Sequence, residues 1–127
     1  MIDGTGNMSS QEVHENALPL VEIIRSKHPA TPIVFVECTM FEKSYLEDTT
    51  RNIIVNKNLA LKTEYEKMVK KGFSNIYYID NKGATGNDHE ATVDGVHFTD
   101  LGFLRFADFL ISRFDMLKLT KIITNKK

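Results

Sequence analysis

The chain has 127 residues, 16 basic and 17 acidic side chains, a formal charge of -1, and 42% hydrophobic and 26% charged residues. These totals describe one globular domain or most of one, and they exclude a basic field for nucleic acid and any zinc-finger or zinc-knuckle spacing. No apolar run approaches the roughly 18 residues needed to cross a membrane. The first residues have neither the basic nor the apolar region of a signal peptide, and the lone Cys38 rules out an internal disulfide and leaves the compartment open.

Met1-Ile2-Asp3 reads as the last residues of a strand, and Gly4-Thr5-Gly6-Asn7 as the loop that follows. A first helix is expected from Ser9 or Ser10. Ser9 and Glu12 have the spacing of a capping box, in which hydroxyl and carboxylate each satisfy a free backbone N–H. Val13, Ala17, Leu20, Val21 and Ile24 recur at helical spacing as its buried face. Pro19 removes one helix bond and is expected to kink this helix or delay its start. His28-Pro29 ends it. Ile33-Val34-Phe35-Val36-Glu37 is nearly all apolar and β-branched, which suits a strand buried on both faces of a parallel sheet.

Cys38 to Asp48 is a long connection, and loops of that length are often functional rims. A second helix is expected from Thr49 or Thr50 to Lys71. Its apolar positions are Ile53, Ile54, Ala60, Leu61, Tyr65, Met68 and Val69, and Gly72 is its left-handed stop. Asn75 to Asp80 forms the second clear strand, and Asn81 to Phe98 a loop rich in Gly, Asp and His. A third helix starts at a Thr99 cap, with Gly102 in its first turn, where a missing side chain permits close packing. Beyond Met116 the pattern weakens, so residues 1–117 are expected to form the domain and 118–127 a basic tail that frays.

Strands alternating with helices imply a parallel sheet with helices on both faces. Ligands of such sheets bind at the carboxyl ends of the strands. Asn7, Cys38 and the loop holding Asp94 and His97 all follow strand ends, so one rim is expected to gather them. Two strands and a remnant leave a sheet edge unpaired, which predicts a homodimer or a complementing segment at that edge.

Asp94 and His97 carry the chemistry. An imidazole serves as a general base near neutral pH, and a carboxylate on its other nitrogen fixes the tautomer and stabilises the imidazolium. The sequence Asp94-Gly95-Val96-His97, with Gly102 five residues after the histidine and a helix beyond, resembles the C-terminal part of the SGNH hydrolases, also called GDSL-type esterases and lipases. Phe98 stands where that family usually has proline. Asp3-Gly4-Thr5-Gly6-Asn7 is similar to the family block whose Asn donates to an oxyanion. The resemblance implies an α/β three-layer α/β/α flavodoxin-like fold, N-terminally truncated in this chain. It also implies serine-ester chemistry with His97 as base, Asp94 as its orienter and Asn7 in the oxyanion hole, and neither metal nor organic cofactor.

The family's Gly-Asp-Ser block has no counterpart here. Ser9 and Ser10 are helix caps, Ser26 ends a helix, Ser74 precedes a strand, and Ser44 and Ser112 lack a strand-to-helix turn. A nucleophile is therefore expected to be missing, and turnover by this chain alone to be negligible. Substrates implied by the family are small acyl esters, including acetyl groups on carbohydrate.

Other readings stand beside these. Asn7 is equally well a helix-entry residue bonding local backbone. Cys38 could pair with His97 as a thiolate nucleophile, against the simpler reading of a small buried hydrophobe. Glu37 and Glu42 could reach substrate or merely be solvated. Asp88, His89, Glu90, Asp94 and His97 are ligand-type side chains that a divalent metal could gather, although their spacing matches no metal motif. Met40, Phe41 and Tyr45 could line an acyl or sugar pocket or simply hold down their loop, and His14 and His28 read as surface residues. In a different class altogether, the chain would be a non-catalytic α/β binding module that acts through its open edge.

Overall fold

A computed structural model describes residues 1–120. The order is a 3-10 turn (Thr5–Asn7), α1 (Ser10–Lys27), β1 (Ile33–Val36), a second 3-10 turn (Glu42–Tyr45), α2 (Asp48–Lys70), β2 (Ile76–Ile79) and α3 (Asp100–Met116). β1 and β2 pair in parallel with Ile33 beside Ile76 and Val36 beside Ile79. Ile2 adds a parallel bridge on the other side of β1, donating to Val34 O at 2.7 Å and accepting from Val36 N at 3.1 Å. The result is a small α/β/α arrangement on a short two-stranded parallel sheet.

All four residues of β1 are buried, and alternation sends them to two cores. Ile33 and Phe35 meet Val13, Ala17 and Val21 of α1 and Ala60, Leu61 and Met68 of α2. Val34 and Val36 face the other way with Ile79, where Phe106, Phe109, Leu110 and Phe114 of α3 pack. A continuous apolar run is what a strand covered on both faces requires.

The Ser9–Glu12 capping box forms as expected, with Ser9 N to Glu12 Oε2 at 2.7 Å and Glu12 N to Ser9 Oγ at 3.1 Å. Pro19 neither delays nor divides α1. Pro19 and Glu15 are both exposed, so water can take the carbonyl that lost its helix partner. Leu20 departs from its expected burial and is 40% exposed. It overhangs a small apolar cavity beside Ile2 and Phe35, at the side where the sheet stops. In α2, Ile53 and Val69 are likewise half exposed, while Asn58 and Glu64 lie on its buried side. Glu64 Oε1 lies 2.7 Å from His14 Nδ1 and accepts from Lys67 Nζ at the same distance. His14 is an exposed helix residue as expected, and it also ties α1 to α2.

Lys118 begins the segment expected as a tail. It adopts φ +59° and closes α3 in a Schellman turn, with Lys118 N on Asp115 O and Leu119 N on Phe114 O, both at 2.9 Å. Leu119 then lies buried against Val34, Val36 and Ile79. The remainder of that segment, 121–127, falls outside the described residues.

Candidate active site

The loop between β2 and α3 is held at several points. Thr92 and Phe98 form an antiparallel bridge, closed by Val93 N on His97 O at 2.8 Å. Gly95, at φ +88°, faces the backbone and Cβ of Lys43, and a Cβ at Gly95 would approach Lys43 Cβ to 3.2 Å. Lys43 N donates to Gly95 O at 2.9 Å. Position 95 thus needs both the left-handed backbone and the missing side chain. Gly102 meets the other end of the loop: a Cβ there would stand 2.1 Å from the Ala91 carbonyl oxygen. Thr99 caps α3 by accepting from Gly102 N at 3.0 Å.

Within this frame Asp94 carries three bonds. Oδ1 accepts from Val96 N at 2.9 Å and His97 N at 2.8 Å, and Oδ2 lies 2.7 Å from His97 Nδ1. The His97 N–H, then the His97 ring and the Val96 N–H, hold the Asp94 carboxyl well below the usual carboxylate range. The carboxylate therefore stays ionised and fixes the imidazole by one nitrogen, leaving Nε2 for a reacting proton. The two side chains are 52% and 77% exposed, so water screens their mutual attraction and the backbone bonds supply most of the orientation.

His97 and Asn7 line one cleft of about 480 Å³. Its polar wall is formed by Asp3, Asn7 and Thr39, and its apolar wall by Phe41, Phe98, Phe103 and Phe106. Asn7 is exposed, and its carboxamide bonds to nothing among the described residues. No serine lines the cleft, and Ser44 is fully buried.

Cys38 reaches the same cleft but is buried. Burial pushes its thiol up to about 11, with Lys57 opposing and Asp3 and Glu37 adding to the rise. Such a thiol carries almost no thiolate near neutral pH, which favours the buried-hydrophobe reading. The acidic and histidine side chains of the 88–97 stretch go to separate partners. Asp88 holds Arg105 through two bonds of 2.6 Å, His89 sits 2.6 Å from Glu42 Oε2 with Tyr45 edge-on to its ring, and Asp94 takes His97. Among the described residues no three His, Cys, Asp or Glu side chains converge as a cation site requires. Glu42 and Tyr45 thus brace the loop through His89.

A polar bracket beneath the cleft was not read from the sequence. Asn58 of α2 accepts from Cys38 N and donates to Cys38 O, both at 2.9 Å, and Asn81 donates to that carbonyl at 2.7 Å. Glu37 accepts from the Tyr78 hydroxyl and from Asn81 N, so it fixes the strand ends and does not face solvent freely. Burial, then the Glu37 carboxylate, drives the Tyr78 phenol far above its ordinary range. One signal for the bracket was present: Asn58 lies four residues after Ile54 and three before Leu61, on the apolar stripe of α2.

The GDSL-like lipase/acylhydrolase family profile matches residues 1–114. A Bacteroides ovatus ATCC 8483 protein described as a GDSL-like lipase superimposes with a TM-score of 0.84 at 32% identity, over 90% of this chain and 34% of the other. The salicylyl-acyltransferase SsfX3 of a tetracycline biosynthetic pathway shares the fold, with a TM-score of 0.71 at 20% identity over 87% of this chain and 33% of its own. The chain thus spans about a third of the length of each. Among curated proteins none matches.

Proposed function

This chain belongs to the GDSL-like lipase/acylhydrolase family, and from that premise we propose that it carries the base, its orienter and an oxyanion donor of an SGNH-type serine ester hydrolase. His97 is the base, Asp94 the orienter and Asn7 the donor. The nucleophile is a serine outside these 127 residues, on a strand that pairs with the free side of Ile2. That strand extends the sheet toward a flavodoxin-like order and comes from a complementing segment. One observation carries the reading: His97, held by Asp94 at 2.7 Å, and the unbonded carboxamide of Asn7 line the same cleft.

In the reaction the serine oxygen adds to the ester carbonyl while His97 Nε2 takes its proton, and Asp94 keeps Nδ1–H in place. The carbonyl oxygen becomes an oxyanion that accepts from Asn7 and from backbone N–H groups. One such donor is worth about 2.7–4 kcal/mol. Collapse expels the alcohol, which recovers the proton from His97, and a water activated in the same way releases the acid. Small acyl esters, carbohydrate acetates among them, are the proposed substrates.

Release of p-nitrophenolate from p-nitrophenyl acetate tests this. The 127-residue chain alone should stay at background, whereas a protein extended upstream of Met1 to include a Gly-Asp-Ser block should turn over. There His97→Ala should cost about 10³-fold or more and Asn7→Ala about 10²-fold. His97-dependent release by the 127-residue chain itself would overturn the external serine.

A further inference from the structure

Asn7 stands on a ridge between two clefts. Beyond it, away from His97, a second groove of about 470 Å³ runs between the start of α1 and the middle of α2. Asn7, Ser9, Ser10, Asn56 and Lys57 supply its polar lining, with Met8 and Ile53 beside them. Lys57 is half-buried and donates to the Gly6 carbonyl at 2.9 Å, one residue before Asn7. An ammonium has three N–H groups, and Lys57 pairs with no carboxylate among the described residues. Glu12, whose Oε2 accepts from Ser9 N at 2.7 Å, feels the Lys57 charge without forming a direct ion pair with it.

A half-buried ammonium that spends one N–H on a carbonyl and forms no direct ion pair among the described residues, in a groove large enough for a small molecule, is matched by an anionic ligand. We propose that this groove binds a carboxylate or phosphate substituent of the substrate, so that the preferred ester carries a negative charge beyond its reacting carbonyl. Lys57 and Asn56 donate to that group. The assignment rests on the reading of Asn7 as the oxyanion donor, because the groove then opens directly beside the reacting carbonyl. Lys57 serves twice: through Gly6 it steadies the turn that bears Asn7, and with its remaining donors it selects the substrate.

Three probes with one ring separate charge from shape: glucose, glucuronate and glucose 6-phosphate, each titrated into the 15N-labelled full chain by NMR. At least one anionic probe should bind about tenfold or more tightly than glucose, shifting the amides of Asn7, Ser10, Asn56 and Lys57. The tighter of the two identifies carboxylate or phosphate as the group held. Lys57→Met should erase the preference and Lys57→Arg should keep it. Equal binding of all three, no binding of either anion, shifts located elsewhere, or a preference that survives Lys57→Met would each overturn the proposal. If Lys57→Met fails to fold, the wild-type contrast between glucose and its anionic counterparts still decides. The probes contain no ester, so the two readings fail separately. Charge-selective binding without His97-dependent hydrolysis in the extended protein removes the hydrolase reading alone, and hydrolysis without charge preference removes the groove alone.

Discussion

The two faces of the sheet are built to different standards. Under α1 and α2, Val13, Val21, Phe35 and Met68 are almost wholly removed from water, and even the polar insertion at Glu64 is matched by His14 and Lys67. Under α3, the only fully buried residue of the helix is Gly102. Phe106, Phe109 and Phe114 are half-buried, and Phe103, Leu104 and Ile111 are mostly exposed. Both faces use the same strands, so the difference lies in what covers them. Two helices that also pack on each other close one core, whereas a single helix cannot enclose the other. The site belongs to the open face: His97, Phe98 and Phe103 line its cleft. The better-closed core and the aromatic wall of the cleft therefore lie on opposite sides of one short sheet.

The contrast can be tested by removing a ring from each face. Phe35→Ala should cost about 3–5 kcal/mol, as a fully buried aromatic does, and Phe109→Ala markedly less, because its ring is only partly withdrawn from water. Urea unfolding of both variants measures the gap, and equal losses would show that the α3 face is as firmly closed as the other.

A smaller effect is expected where α3 meets the loop that holds Asp94 and His97. Gly102→Ala places a methyl 2.1 Å from the Ala91 carbonyl oxygen. The backbone must give way, at a cost of about 1–3 kcal/mol, and amide shifts at Ala91, Thr92 and His97 should report the displacement. A variant with unchanged stability and an undisturbed loop would mean that α3 and the loop move freely apart.

The smallest effect is local and depends on pH. Asp94 is held below its ordinary value of 3.8 in the folded loop. Above that value it is ionised whether folded or unfolded, and its three bonds contribute in full. As acid is added the unfolded chain takes up the proton first, and the contribution is lost as pH falls through the lower folded value. Hydrogen exchange at the Val96 and His97 amides should therefore lose protection below the ordinary carboxylate range. Asp94→Asn should remove that acid dependence while the Phe35 core stays protected. An unchanged pH response in Asp94→Asn would mean that the carboxylate does not organise the loop.

Much of the architecture was legible in the sequence because it is specified locally. The capping box at Ser9, the apolar run at Ile33 to Val36, the Thr99 cap and the close packing of Gly102 follow from side chains within a few residues of one another. The expected burial of Leu20 failed, and the apolar Ile53 and Val69 stand half exposed, for a common reason. Periodicity shows which way a helix would turn its apolar residues, but not whether anything is present to cover them. The bond between Asp94 and His97 was legible because a three-residue spacing confines it to one turn. The partners of His14 and His89 were not, since Glu64 lies 50 residues from the first and Glu42 lies 47 from the second.

By itself, the sequence determined the alternation of strands and helices, the acid–imidazole pair, and the absence of a serine in the right kind of turn, because each depends on near neighbours or on residue identity alone. Only the tertiary structure decided that Asn7 shares a cleft with His97, that Asn58 and Asn81 lock the exit of β1 beneath it, and that Lys57 donates to the turn that bears Asn7. Those facts depend on how α2 and the long loops close over the strand ends, and that closure comes from packing across the whole chain, which no local pattern encodes.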